Sequence, residues 1–180
     1  CDAYFETGMP CIVSAPAFSK VIVTGTQPAP EEKFDVAYAR MNLGNALEFQ
    51  FAVPQTAAAD WTGTYAEIEK HWADGTTTTK TIDASQWSTV TISGQKYWAI
   101  VYDGLAAKEM ADTFNVTIYD AQGEAISNTW TDAVRDYVQR NIGKQGAKSD
   151  TMMVDMLCYG AAAQENFRYG TGDLANANLT

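Results

Sequence analysis

"KYWAIVYDGLAAKEMADTFNVTIYDAQGEAISNTW" (residues 96–130) decides the fold. Its first eight residues, 96–103, are apolar on both faces, as a strand in the middle of a sheet would be. "TFNVTIYD" (113–120) alternates instead, with Phe114, Val116 and Ile118 on one face. The turn residues "AQG" then lead into "EAISNTW" (124–130), which predicts a hairpin. "GLAAKEMADT" (104–113) between the two strands reads as one helical turn crossing the end of a sandwich.

Working outward, the same period of two recurs upstream. Phe34, Val36 and Tyr38 alternate in "FDVAYAR" (34–40), and Leu47, Phe49 and Phe51 share a face in "ALEFQFAV" (46–53). In "YAEIEKHW" (65–72), Ala66, Ile68 and Trp72 fall on one side, with Glu67, Glu69 and His71 on the other. Short alternating strands with turn signals about every 8–12 residues predict an Ig-like antiparallel β-sandwich over 34–130.

After Trp130 the period becomes helical. Thr131 or Asp132 can cap a helix with Val134, Tyr137, Val138 and Ile142 on one face. "GKQGAK" breaks it, and Ser149 or Asp150 can cap a second helix carrying Met153, Val154, Leu157, Ala161 and Phe167. Gly160, Ala161 and Ala162 predict a close packing face, with Phe167 filling the volume at its end, and Cys158 is expected to be a buried, inert thiol. The fold class is therefore mainly β, an α+β chain in which residues 131–180 form a helical pair packed on the sandwich. Residues 1–33 stand apart: "CDAYFETG" reads as a helix end, "KVIVTG" (20–25) as a short strand and "TQPAPEEK" (26–33) as a connector. Cys1 and Cys11 can pair only if the segment between them folds back. Beginning at Cys1, the chain is expected to be a piece of a longer polypeptide.

Composition narrows the function. A net charge of −10, from 22 acidic against 12 basic residues, repels nucleic acid and anionic membranes. No apolar run approaches the roughly 20 residues of a membrane helix, so insertion into a bilayer is not expected. Metal ligation has little to work with: His71 is the only histidine, and there is no Cys-x-x-Cys. Asp120 and Glu124 of "DAQGE" could hold Ca²⁺, though a hairpin turn accounts for the same residues. Glu67, Glu69 and His71 are the nearest approach to a catalytic group, and on an exposed strand face they read as solvated residues. No nucleophile elbow, phosphate loop or dinucleotide fingerprint is present, so neither an enzyme nor a cofactor is expected.

Binding through aromatic rings is the alternative chemistry, because a ring face stacks on the apolar patch of a sugar. Trp98 and Trp130 read as core or hinge packing, and Trp72, sharing parity with Ile68, as buried. Trp61, in "PQTAAADWTGTY", has no obvious packing partner. With Tyr65 and Trp87 as neighbours, it is the candidate platform for a plant or host glycan or a host surface protein. A Trp61 folded back over the sandwich edge fits the sequence equally well.

Three stretches carry a resemblance: "GLAAKEMADTFNVTIYDAQGEAISNTW" (104–130), "AVRDYVQRNI" (133–142) and "MMVDMLCYGAAAQENFRYGTGDLANANL" (152–179). In order and content they resemble a β-sandwich plus helical-tail module of large secreted or surface-attached proteins of clostridial-type gut bacteria. The likeness covers most of residues 20–180, and "CDAYFETG" resembles the tail of a preceding helix of the same kind. It implies an extracellular, non-catalytic module with a spacer or adhesion role, whose partners include neighbouring modules of the same polypeptide.

Overall fold

The computed structural model describes residues 11–15, 18–23, 32–43, 46–144 and 146–179, in two units, Cys1–Glu32 and Lys33–Thr180. In the first unit β1 (Cys11–Ala15) pairs antiparallel with β2 (Phe18–Val23), with Ile12 opposite Ile22. The strand expected at 20–25 is thus present, starting at Phe18. The helix end expected before Gly8, most of the 26–33 connector and the Cys1–Cys11 pairing lie outside the described residues.

Among its described residues the second unit holds eight strands: β3 (Tyr38–Leu43), β4 (Leu47–Pro54), β5 (Tyr65–His71), β6 (Thr77–Asp83), β7 (Ser88–Ile92), β8 (Gln95–Leu105), β9 (Thr113–Tyr119) and β10 (Trp130–Ala133). They form two four-stranded antiparallel sheets, ordered β3-β4-β8-β7 and β10-β9-β5-β6. Each consecutive pair forms a hairpin within one sheet, and each link between pairs passes to the other sheet. That is the strand order of an Ig-like sandwich. The strand apolar on both faces, β8, lies inside its sheet between β4 and β7, as expected.

The alternating stripes meet between the sheets. Phe49 and Phe51 of β4, Ile68 of β5, Ile100 of β8 and Phe114, Val116 and Ile118 of β9 are all fully buried. Phe114 sets its ring edge against Phe49 (5.7 Å) and Tyr102 (5.0 Å), so the two layers interlock through aromatic contacts. Tyr38, expected inside, is 44% exposed, because β3 is an edge strand and its ring rests against Tyr97 instead. A 3₁₀ turn, Ala107–Glu109, makes the expected crossing from β8 to β9.

The strand region runs past Trp130. Thr131 and Asp132 continue β10 opposite Asn115 and Phe114, so neither caps α1 (Val134–Asn141). The buried Asp132 carboxylate instead accepts from the Ala133 N–H and from Arg140. Helix α2 (Ala147–Phe167) likewise begins before Ser149, and Asp150 accepts from the Gly143 N–H across the interhelical turn. Val134 and Val138 of α1 and Met153 and Leu157 of α2 join the sandwich core.

The small-residue face of α2 is a packing face. Met153, Leu157, Gly160, Ala161 and Gln164 are buried at helical spacing, while Ala162 is exposed. A Cβ on Gly160 would sit 2.9 Å from Met110 Sδ, 3.1 Å from the Ala107 carbonyl oxygen and 3.1 Å from Ala175 Cβ. The helix backbone therefore lies directly on the 3₁₀ turn and the tail. Ala162, expected on that face, thus points away from it, and two further expectations fail here. Cys158, one residue past Leu157, turns away from the stripe and is exposed. Phe167 is 66% exposed, because the helix stops there: Arg168 is left-handed (φ 53°), and the chain doubles back under Gln164. Gln164 then holds the tail, donating to the Asp173 carbonyl (3.1 Å) and accepting from the Ala175 N–H (2.7 Å).

Gly160→Val is expected to lower the stability of the whole unit by about 1–3 kcal/mol, since the Ala107 carbonyl cannot yield to the added side chain. Urea unfolding followed by both helical and tryptophan signals should show one shifted transition. A helix that melts ahead of intact sheets contradicts this packing.

Candidate functional site

The aromatic candidates separate into two places. Trp61 lies in the loop before β5, partly buried, and donates its Nε1 hydrogen to the Gln55 carbonyl (3.0 Å). Its ring meets Trp87 edge-on at 5.7 Å and Phe34 at 5.8 Å. Trp87 is buried and donates to the Ile82 carbonyl (3.0 Å). These T-shaped contacts and backbone anchors make the three rings a packed cluster at the sandwich edge. Tyr65 is elsewhere, on the outward face of β5, stacked on Tyr119 at 5.3 Å. A groove of about 560 Å³ runs beside Trp61, lined also by Asp60, Thr62, Asp83, Ser85 and Trp98. The Thr62 N–H holds the Asp60 carboxyl below the usual carboxylate range.

Glu67, Glu69 and His71 occupy the outward face of β5, as read from the alternation. Asn115 Nδ2 donates to His71 Nε2 (2.9 Å), which leaves His71 Nδ1 to donate to Thr77 Oγ1 (3.1 Å). Glu69 lies 3.9 Å from the ring, and both side chains are more than two-fifths exposed. Both ring nitrogens are thus engaged by side chains of the neighbouring strands on an open sheet face. Asp120 accepts from the Gln122 and Glu124 N–H groups, so its carboxylate organises the hairpin turn. No group of three or more acidic, histidine or cysteine side chains able to hold a metal occurs among the described residues.

The principal cluster is one that the strand alternation passes over between Ile68 and Trp72. Lys70 shares the inward parity of Ala66 and Ile68, and its side chain is 1% exposed. Nζ lies 2.7 Å from Glu109 Oε2, at the end of the 3₁₀ turn, and 3.3 Å from Asp112 Oδ2, just before β9. Trp72, expected to be buried, is half-buried: it follows the end of β5 and lies over the amine as a lid, its ring centre 3.7 Å from Nζ. Trp72 Nε1 is fixed by Thr78 Oγ1 (2.8 Å).

The tail completes the site. Tyr169 places its hydroxyl 2.8 Å and 2.7 Å from the two oxygens of Asp112, and the same hydroxyl accepts from the Ala73 N–H (3.1 Å). Asp112 also lines a groove of about 360 Å³ that opens past Trp72, Gln164 and Gly170. Burial pushes the Asp112 carboxyl above the usual range, against the pull of Tyr169 and Lys70. Burial also raises the Tyr169 hydroxyl, so it stays protonated and donates. One ammonium thus faces two carboxyl groups, and burial favours the uncharged form of Asp112.

Compared with protein-family models, curated proteins and solved structures, the chain has no significant match.

Replacing Lys70 by Met strands two acidic groups in the sandwich end, and a loss of about 3–5 kcal/mol is expected from breaking such a buried set. Adding Glu109→Gln and Asp112→Asn to Lys70→Met should recover part of that loss. Chemical denaturation of the single and triple variants measures both, and a single variant as stable as wild type would refute the ionic role of the cluster.

Proposed function

We propose that the chain is a non-catalytic structural module of a multi-domain extracellular bacterial protein. In this reading it acts as a spacer or in adhesion at a cell surface, with neighbouring modules of the same polypeptide as its partners. The single observation that carries this reading is the Lys70, Glu109, Asp112 and Tyr169 network. It draws a strand, a crossover turn and the C-terminal tail to one buried point, so that the sandwich end and the tail resist separation together. A rigid unit of that kind suits a part that transmits position or load. The likeness of residues 104–179 to surface modules of gut bacteria points the same way. The net charge of −10 disfavours nucleic acid and anionic lipid as ligands, and no helix among the described residues is long and apolar enough to cross a membrane.

A second reading, binding of a neutral plant or host glycan, has one observation in its favour: the groove of about 560 Å³ lined by Trp61, Trp98, Asp60 and Asp83. Trp61 packs T-shaped against both Phe34 and Trp87, and Trp87 is buried, so neither ring stands free as a sugar platform would.

A glycan array with a polysaccharide pull-down tests the two. The structural reading expects a blank array and a Trp61→Ala variant whose only defect is a stability loss of roughly 1–3 kcal/mol. Retention of a glycan by the wild-type chain, abolished by Trp61→Ala at unchanged fold, would replace it with the binding reading.

A further inference from the structure

The buried cluster contains the reactants for a covalent step as well as an ionic one. An amine, a carboxyl group that burial favours in its acid form and a second carboxylate beside the amine are the parts of an amide-forming site. Strand geometry brings them together: Lys70 pairs with Phe114 and His71 with Thr113. Asp112 is therefore one diagonal step from Lys70 on the same inward face, within reach of a long side chain. Nζ is already 3.3 Å from an Asp112 oxygen, side-chain exposure is 1% for both residues, and Trp72 and Phe114 wall the amine. Fixed proximity of two reactants in a site that excludes water favours condensation, which dilute side chains in water do not undergo.

We infer that Lys70 and Asp112 become joined through their side chains by an amide bond formed within the folded chain. Glu109 carries the protons, and Tyr169 binds the reacting carboxyl. Glu109, 2.7 Å from Nζ, takes one proton from the ammonium and leaves a neutral amine. The amine lone pair attacks Cγ of protonated Asp112, and the carbonyl electrons move onto oxygen, where the Tyr169 hydroxyl donates a hydrogen bond. A second proton then passes from nitrogen, by way of Glu109, to the hydroxyl that leaves. The new N–C bond replaces one C–O bond, one water is released, and the proton first taken from the ammonium remains on Glu109. No oxidant, metal or nucleotide is consumed. Burial that raises the Asp112 carboxyl above the usual range favours the acid form the step requires. The groove beside Trp72 and Gly170 offers the water an exit. The step does not depend on where the protein works or on any ligand.

The test is the mass of the whole chain, purified folded and measured denatured. The expected mass is the sequence mass less one water, and a protease digest should contain a branched peptide joining Lys70 to Asp112. Glu109→Gln is expected to keep the fold, by circular dichroism, and the full mass. Tyr169→Phe should slow the loss of water without abolishing it. Asp74–Gly75 and Asp103–Gly104 can also lose water, by closing to succinimides, and hydroxylamine cleaves those while leaving the side-chain amide intact. A folded wild-type chain of full mass overturns the inference. So does a water loss that maps to either Asp-Gly step or that survives Asp112→Ala.

Discussion

A lysine that points into the space between two sheets forces the surrounding chain to answer it. Moving an ammonium out of water costs several kcal/mol unless carboxylates and hydrogen bonds replace the lost solvent. Lys70 is inward because its strand alternates, and alternation is enforced by Ala66 and Ile68 on the same face. The acids that meet it come from the crossover between the sheets, Glu109 and Asp112, and the hydroxyl that completes the set comes from the tail. Local sequence around Lys70 supplies none of these partners except the Trp72 lid. The cluster is thus a tertiary device, present only when strand, turn and tail have all arrived.

The same end of the molecule explains why the helix carries its small residues where it does. Gly160 lies on the turn that bears Glu109, and Gln164 holds the doubled-back chain that bears Tyr169. Gly170 is left-handed (φ 56°), and a Cβ there would come within 2.8 Å of Ala73 Cβ, so the tail passes close to the chain just after β5. Arg135, its side chain largely buried, adds an anchor to the exposed Asp173. Packing by small residues and pairing of charges are two parts of one closure: the first sets the distance, the second sets the register.

The sandwich was legible because its signal is periodic. Leu47, Phe49 and Phe51, and likewise Phe114, Val116 and Ile118, occupy the core that alternation assigned them. The strand-to-helix boundary was less legible, because Thr131 and Asp132 are good helix caps in isolation and pairing with β9 overrides that preference. Phe167 and Cys158 were misassigned since a helical stripe specifies direction and not where the neighbouring surface ends. The buried cluster was hidden by residue type: a lysine in an alternating strand reads as an interruption of the apolar face. Its parity, with that of Asp112 beside Phe114, was the available signal. The rings of Trp61 and Trp87 meet, whereas Tyr65, though close in sequence, faces outward on β5.

The sandwich end and the C-terminal tail open as one. Native-state hydrogen exchange measures this residue by residue. The Ala175 amide, bonded to Gln164, and the Tyr169 amide, bonded to the Gln164 carbonyl, are expected to share the opening free energy of the β5 and β9 amides to within about 1 kcal/mol. Tail amides that exchange freely while β5 and β9 remain protected would contradict it.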